Sequence, residues 1–149
     1  MKPKQFQQHL KSLEKRAGEF MRTDAPHHAA NKAVEKFKEN FQNEGFFGNK
    51  WVEVQRRTKG TPANRHAVRR RPADASRSIL SGRTGNLRSS INYRIEPGRA
   101  IVYSDTKYGK FHNEGAPPQP KRQFMGEHPD LNRAVIDELD KQVNKLFKK

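Results

Sequence analysis

The chain has no cysteine and little that is apolar. Without thiols there is neither disulfide bridging nor thiolate chemistry, and cysteine usage leaves the compartment open. Apolar side chains make up 32% of the 149 residues, against a usual share of roughly 45–50% when glycine is counted. Mean hydropathy is −1.14. A modest core is expected, because polar loop adds nothing to burial. No apolar run approaches the roughly 20 residues of a membrane span, so no membrane partner is expected. The basic start, Met1-Lys2-Pro3-Lys4, is followed by no apolar h-region, and no secretory signal is expected. Acidic residues are scarce as well: 16 Asp and Glu stand against 31 Lys and Arg, a formal charge of +15. Such a field attracts anionic partners and speeds encounter with them.

Catalytic signatures are missing too. His9, His27, His28, His66, His112 and His128 do not fall at the spacing of a helical zinc motif, and no thiolates assist them. There is no Gly-x-Ser-x-Gly elbow, no Walker loop and no Gly-x-Gly-x-x-Gly. Asp105, His112 and Glu114 lie close in sequence, but a two-metal nuclease needs several convergent carboxylates. The favoured reading of His112 is a hydrogen bond to backbone beneath a hairpin. No metal, no cofactor and no enzymatic activity are expected.

What is present is organised around residues 79–126. Leu87, Ser89, Ile91, Tyr93 and Ile95 alternate with Arg88, Ser90, Asn92, Arg94 and Glu96, the period-two pattern of a half-buried strand. Pro97-Gly98 makes a turn, and Ala100–Ser104 returns antiparallel as the second strand of a hairpin. Tyr108–Gly115 reads as one or two helical turns with Tyr108, Phe111 and His112 facing inward. Residues 116–120 read as a stiff Pro-rich linker, and Arg122–Met125 as a third strand.

Helices flank this stretch. Phe6, Leu10, Leu13, Ala17 and Phe20 recur at spacings of four, three, four and three, predicting a core-facing helix over 4–22. A break is expected at residues 23–26, with Asp24 capping a second helix over 26–44 whose stripe is Ala30, Ala33, Val34, Phe37 and Phe41. Gly45 fits its stop. Phe46, Phe47 and Trp51 form an aromatic knot that anchors the long loop after it; Trp51, Val52 and Val54 also suit the start of an edge strand. Pro129 and Asp130 open a last helix with Leu131, Val135, Leu139, Gln142, Val143 and Leu146 on one stripe, widened by Ile136 and Phe147.

Residues 55–78 hold eight bases, Arg56, Arg57, Lys59, Arg65, Arg69, Arg70, Arg71 and Arg77, against Asp74 alone. So little apolar surface does not offset the entropy of ordering, and a mobile basic arm is expected. It would neutralise phosphates without sequence choice or order against an acidic protein rim. It lacks the aromatics of a base-stacking platform. The whole chain, 1–149, reads as one α+β domain: a helical part over 1–45, the arm over 55–78, and a hairpin with its closing helix over 79–149. A small antiparallel sheet would be covered by two N-terminal helices and one C-terminal helix.

Ile79-Leu80 followed by Thr84-Gly85-Asn86-Leu87-Arg88-Ser89-Ser90-Ile91 resembles the Leu…Thr-Gly-x-Leu-x-x-Ser-Ile segment of phage virion morphogenesis proteins, the tail-completion proteins of contractile-tailed phages and prophages. In that family a hairpin follows, then a Tyr-x-x-x-His-x-x-Gly-like segment, a Pro-x-Arg-x-Phe-Leu-Gly segment and a final helix. Tyr108, Phe111, His112 and Gly115, then Pro120, Arg122, Phe124, Met125 and Gly126, then residues 130–147 stand at those places. Met125 replaces the family's leucine, and Gln123 its second proline. The resemblance covers roughly the C-terminal half. It implies a non-enzymatic protein acting where the tail tube meets the head connector, assembling with itself as a ring, often a hexamer, around the DNA channel. Its setting would be the host cytoplasm during assembly and then the virion. Thr84, Gly85, Leu87, Ile91, Tyr108, His112, Gly115, Arg122, Phe124 and Gly126 would form the fold rather than a catalytic site. The alternative is a sequence-nonspecific nucleic-acid-binding protein acting through the arm.

Overall fold

The computed structural model describes residues 2–148. Helix α1 (Pro3–Glu19) runs through a π-helical turn (Phe20–Asp24) into α2 (Ala25–Gln42). The expected break at 23–26 is therefore absent, and Asp24 is in helical conformation with no side-chain capping bond. The proline explains the local geometry. Pro26 has no N–H to give Arg22, four residues back. The wider turn absorbs the mismatch, with Ala25 N–H reaching back to the Phe20 carbonyl. The Arg22 carbonyl instead accepts from Gly98 N–H, at the tip of the distant hairpin, at 3.4 Å. Thr23 Oγ1 donates back to the Glu19 carbonyl at 2.7 Å, a bond that also bends helices.

α2 is the central element. Ala30, Ala33, Phe37 and Phe41 are buried on one face, and both the hairpin and the last helix pack against it. The helix stops before Gly45: Glu44, not the glycine, takes positive φ, +49°. Strands β1 (Gly45–Phe46) and β2 (Asn49–Lys50) then make a minimal hairpin. The edge strand expected from Trp51 does not form. Trp51 is buried against Phe41, ring centroids 5.6 Å apart, and its Nε1–H donates to the Gln123 carbonyl at 2.7 Å. Val52 is exposed.

Residues 55–78, expected to lack regular structure, carry α3 (Pro62–Arg70) and α4 (Pro72–Ser76). Thr61 caps α3 by accepting from Asn64 N–H at 3.1 Å, and Pro62 occupies the first turn, where no donor is needed. α5 (Asn86–Ser89) comes next, opened by Gly85 at φ +65°. The strand predicted from Leu87 therefore begins later, as β3 (Ile91–Glu96), paired antiparallel with β4 (Arg99–Ser104) from Ile91↔Ser104 to Glu96↔Arg99. Gly98, at φ +73°, closes the turn as expected.

Beyond the hairpin lies α6 (Gly109–Glu114). Residues 116–119 form a tight turn with Ala116 and Gln119 bridged, not an extended linker. Residues 122–125 are coil, not a third strand. The described residues thus form two separate two-stranded hairpins rather than one sheet, within an α+β fold. Phe124 is nevertheless the most buried large side chain, 1% exposed. Side chains supply what a strand neighbour would have. Asn113 Oδ1 accepts from Phe124 N–H and Met125 N–H, both at 2.9 Å, and Asn40 Nδ2 donates to the Phe124 carbonyl at 3.1 Å. α7 (Pro129–Phe147) closes the fold, its first turn capped by His128 Nδ1 accepting from Asp130 N–H at 3.1 Å. His128 stacks on Phe47 at 4.4 Å, so the aromatic knot seats the start of the last helix.

The expected core-facing stripe over 4–22 is met only at its C-terminal end, where Phe20 is buried and Leu13 and Ala17 are half-buried. α1 buries no residue: Phe6 is 52% and Leu10 48% exposed. Among the described residues, Arg16 donates from α1 to the Leu146 carbonyl at 2.6 Å.

Candidate functional site

The eight cations of residues 55–78 divide into two groups. Arg56, Arg57 and Arg77 are fastened inward. Arg56 donates from Nε to the Asp74 carbonyl at 3.0 Å and from one Nη to the Arg77 and Ser78 carbonyls at 2.6 and 2.9 Å. Arg57 forks onto Glu44 at 2.6 and 2.8 Å, and Glu44 also accepts from Ile79 N–H at 2.8 Å. Burial alone would raise the Glu44 pKa. The Arg57 and Ile79 hydrogen bonds, with the Arg57 and Lys50 charges, outweigh it and hold the carboxyl below its ordinary value. Arg77 pairs with Asp74 at 2.5 Å, yet its Nε is buried without a partner.

Lys59, Arg65, Arg69, Arg70 and Arg71 are exposed. Among the described residues, the ion pairs of this segment are those of Arg57 with Glu44 and Glu53 and of Asp74 with Arg77 and Arg83. None involves the exposed five. Arg65 and Arg69 are one helical turn apart on α3, as are His66 and Arg70. α3 is held down by one buried side chain, Ala67. Its last turn collects Arg69 and Arg70, where the helix dipole favours cations.

The residues that carry the resemblance divide as well. Leu87, Ile91 and Phe124 are core; Gly115 ends α6 and Gly126 lies ahead of α7. Tyr108 and Phe111, expected to face inward, are 44% and 55% exposed. Tyr108 Oη accepts from Asn86 Nδ2 at 3.0 Å. Thr84, Tyr108, His112 and Arg122 meet Arg56 and Arg77 around one cavity of about 270 Å³. The fixed part of the arm and the motif residues, far apart in sequence, thus share a site.

That cavity is cationic, and no carboxylate lines it. Arg122 is 9% exposed, donates from Nε to the Val52 carbonyl at 3.0 Å and makes no ion pair among the described residues. Burial lowers its pKa, and a guanidinium stays charged regardless. His112 does not bond backbone with its ring as expected; its Nδ1 is buried and unpartnered. Burial, then the Arg122 charge, lowers its pKa below the ordinary 6.5. Nothing here pairs a nucleophile with a base. Asp105 is exposed, Glu114 stands 3.9 Å from Lys110, and no three His, Asp or Glu side chains converge among the described residues.

Sequence reasoning missed Glu44, Asn40 and Asn113. The first fixes the arm to the end of α2, and the two asparagines hold the coil around Phe124. Each acts on a residue remote in sequence, so no local pattern announces it. No protein-family model, no curated protein and no solved structure matches this chain.

A second cavity, of about 330 Å³, is apolar. Met21, Ala29, Ala30, Ala100, Val135 and Leu139 line it where α2, the β3–β4 hairpin and α7 meet. It is about twice the ~150 Å³ that accommodates benzene in an engineered apolar cavity.

Proposed function

We propose that this chain is a structural protein of phage or prophage virion morphogenesis, working in tail completion or head–tail joining by assembling with copies of itself. The phage setting rests on the resemblance in residues 79–126 and the helix after them. The observation that carries self-assembly is a mismatch within the molecule. α1 holds up an apolar stripe, Phe6 and Leu10, left about half exposed among the described residues, while the alanine-lined cavity beside α2 has room for aromatic and aliphatic side chains. Knob and hole lie on one chain at different places. Docking one copy's α1 into the next copy's cavity is a heterologous contact, which closes into a ring when the rotation allows. The aromatic Phe6 suits an interface anchor. Light scattering on the purified chain should show a closed oligomer, and Phe6→Asp should leave monomer. Electron microscopy with tail tubes should place the oligomer at a tube end. A wild-type chain that stays monomeric at high concentration and in the presence of tubes refutes the reading.

A second reading, sequence-nonspecific nucleic-acid binding, is favoured by the five exposed cations around α3, which no carboxylate offsets. Duplex affinity should then fall steeply with salt, by roughly 0.9 log unit per log unit of salt for each phosphate contacted. Replacing Arg65, Arg69 and Arg70 by Glu should flatten that slope. An unchanged slope excludes α3 as the contact.

A further inference from the structure

We propose that the cavity between the arm, α5 and α6 binds a single oxyanion, a phosphate or a carboxylate group, gripped by Arg122 and His112 and surrounded by Arg56 and Arg77. This site is independent of both readings above.

Three guanidinium groups and an imidazole line one cavity whose wall contains no acid. Charges of one sign brought together in a poorly solvated place repel, and burying them without partners is unfavourable. The neighbouring acids relieve only part of this: Asp74 pairs with Arg77, itself on the wall, and with Arg83, while Glu53 is paired with Arg57, so Arg56 and Arg122 have no ion pair among the described residues. Arg122 is the decisive side chain. It is nine-tenths buried, spends its Nε on the Val52 carbonyl, and has no protein partner for its two terminal nitrogens among the described residues. Those nitrogens form the planar fork that matches carboxylate and phosphate oxygens.

Two more polar atoms lack partners in the residues lining the cavity: His112 Nδ1 and Arg77 Nε, both buried. Buried polar atoms without partners are uncommon in folded proteins, and each calls for a cause. An oxyanion in the cavity supplies acceptors for the terminal nitrogens of Arg122 and cancels part of the excess charge. The volume is set against roughly 30 Å³ for one water, so 270 Å³ admits an anion with its hydration or a short stem. Leu80 and Leu87, on the same wall, provide an apolar side for that stem. An anion beside His112 also stabilises its protonated form.

The test uses the intact chain. Inorganic phosphate and, separately, acetate are titrated at constant ionic strength against chloride, and the Arg Nε–H and His112 ring resonances are followed by NMR. Saturable shifts at Arg122 and His112 are expected. Phosphate alone producing them identifies a phosphate source, and acetate alone a carboxylate source. Arg122→Lys, which keeps charge but loses the fork, and His112→Gln should each weaken binding by about tenfold, the scale of one charge-assisted hydrogen bond. The Arg65, Arg69 and Arg70 to Glu variant should bind unchanged. Shifts no different from those in chloride, shifts confined to the exposed α3 arginines, or full affinity in both cavity variants would overturn the site.

Discussion

α1 and α2 are two halves of one nearly continuous rod, and their apolar residues recur with the same helical spacing. One half is the centre of the molecule, the other stands out from it. α2 meets the hairpin on one side and α7 on another, and its phenylalanines are buried. α1 meets little beyond the end of α7, and its Phe6 and Leu10 keep about half their surface in water. Periodicity reports that a helix has an apolar face. It does not report where the covering surface comes from. For α2 that surface is in the same chain; for α1 we have proposed that it is in the next one.

The comparison breaks most sharply with two phenylalanines. Phe37→Ala empties a packed site at the middle of α2 and should cost about 3–5 kcal/mol in urea unfolding, the usual range for a buried aromatic. Phe6→Ala should shift monomer stability by no more than about 0.5 kcal/mol. Equal losses would mean that α1 is part of the monomer's core after all. At assembling concentrations the ranking narrows, because Phe6 then acts through linkage to the oligomer. A mixing experiment sharpens the point. Phe6→Asp spoils the knob and Ala29→Phe fills the hole. Each variant alone should be monomeric, and the two together should form a dimer through the one junction they leave intact. Dimers of either variant alone would indicate a different interface.

A smaller effect is expected where the arm joins α2. Arg57→Ala leaves Glu44 half-buried with only Ile79 N–H as a bonded partner, and about 2 kcal/mol should be lost, the scale of a hydrogen bond to a charged group. The change should also loosen the arm without touching the exposed α3 cations. Hydrogen exchange over residues 55–78 should rise before any other region. Uniform loss of protection would place Glu44 in the global core instead.

How far the fold was legible follows the same division between local and remote causes. α7 and the turn and return strand of the β3–β4 hairpin were readable almost to the residue, because Pro129, the stripe and Pro97-Gly98 are all local signals. Leu87 and Ile91 misled, since a spacing of four fits a strand's alternation and one helical turn equally. The structure uses both, with Leu87 on α5 and Ile91 opening β3. α3 was illegible because a short helix anchored by Ala67 alone has no stripe to detect. The coil around Phe124 looked like a strand because its backbone partners, Asn40 and Asn113, lie far off in sequence. The candidate site was half legible. The cations and the motif residues were named, but that Arg56 and Arg77 share a cavity with His112 and Arg122 depends on the arm folding back.

The smallest predicted effect separates the cavity from the α2 junction by pH. Both groups have depressed pKa values, so both contribute stability at higher pH that is lost on acidification, in different windows. His112 is held below its ordinary value by burial and by Arg122. The unfolded chain therefore takes up its proton first, and stability should begin to fall as pH drops through about 6.5. Glu44 begins to matter only below its ordinary 4.5, where the unfolded chain protonates while Arg57 still holds the native carboxylate. Urea midpoints measured from pH 7.5 to 3.5 should decline in two steps. His112→Gln should remove the upper step and leave the lower; Arg57→Ala should do the reverse. Saturating phosphate, if it occupies the cavity, should shrink the upper step alone, because an anion beside the imidazole raises its native pKa toward the unfolded value. An upper step that persists in His112→Gln would assign it to another histidine, and the anion's effect would then be read at Arg122 alone.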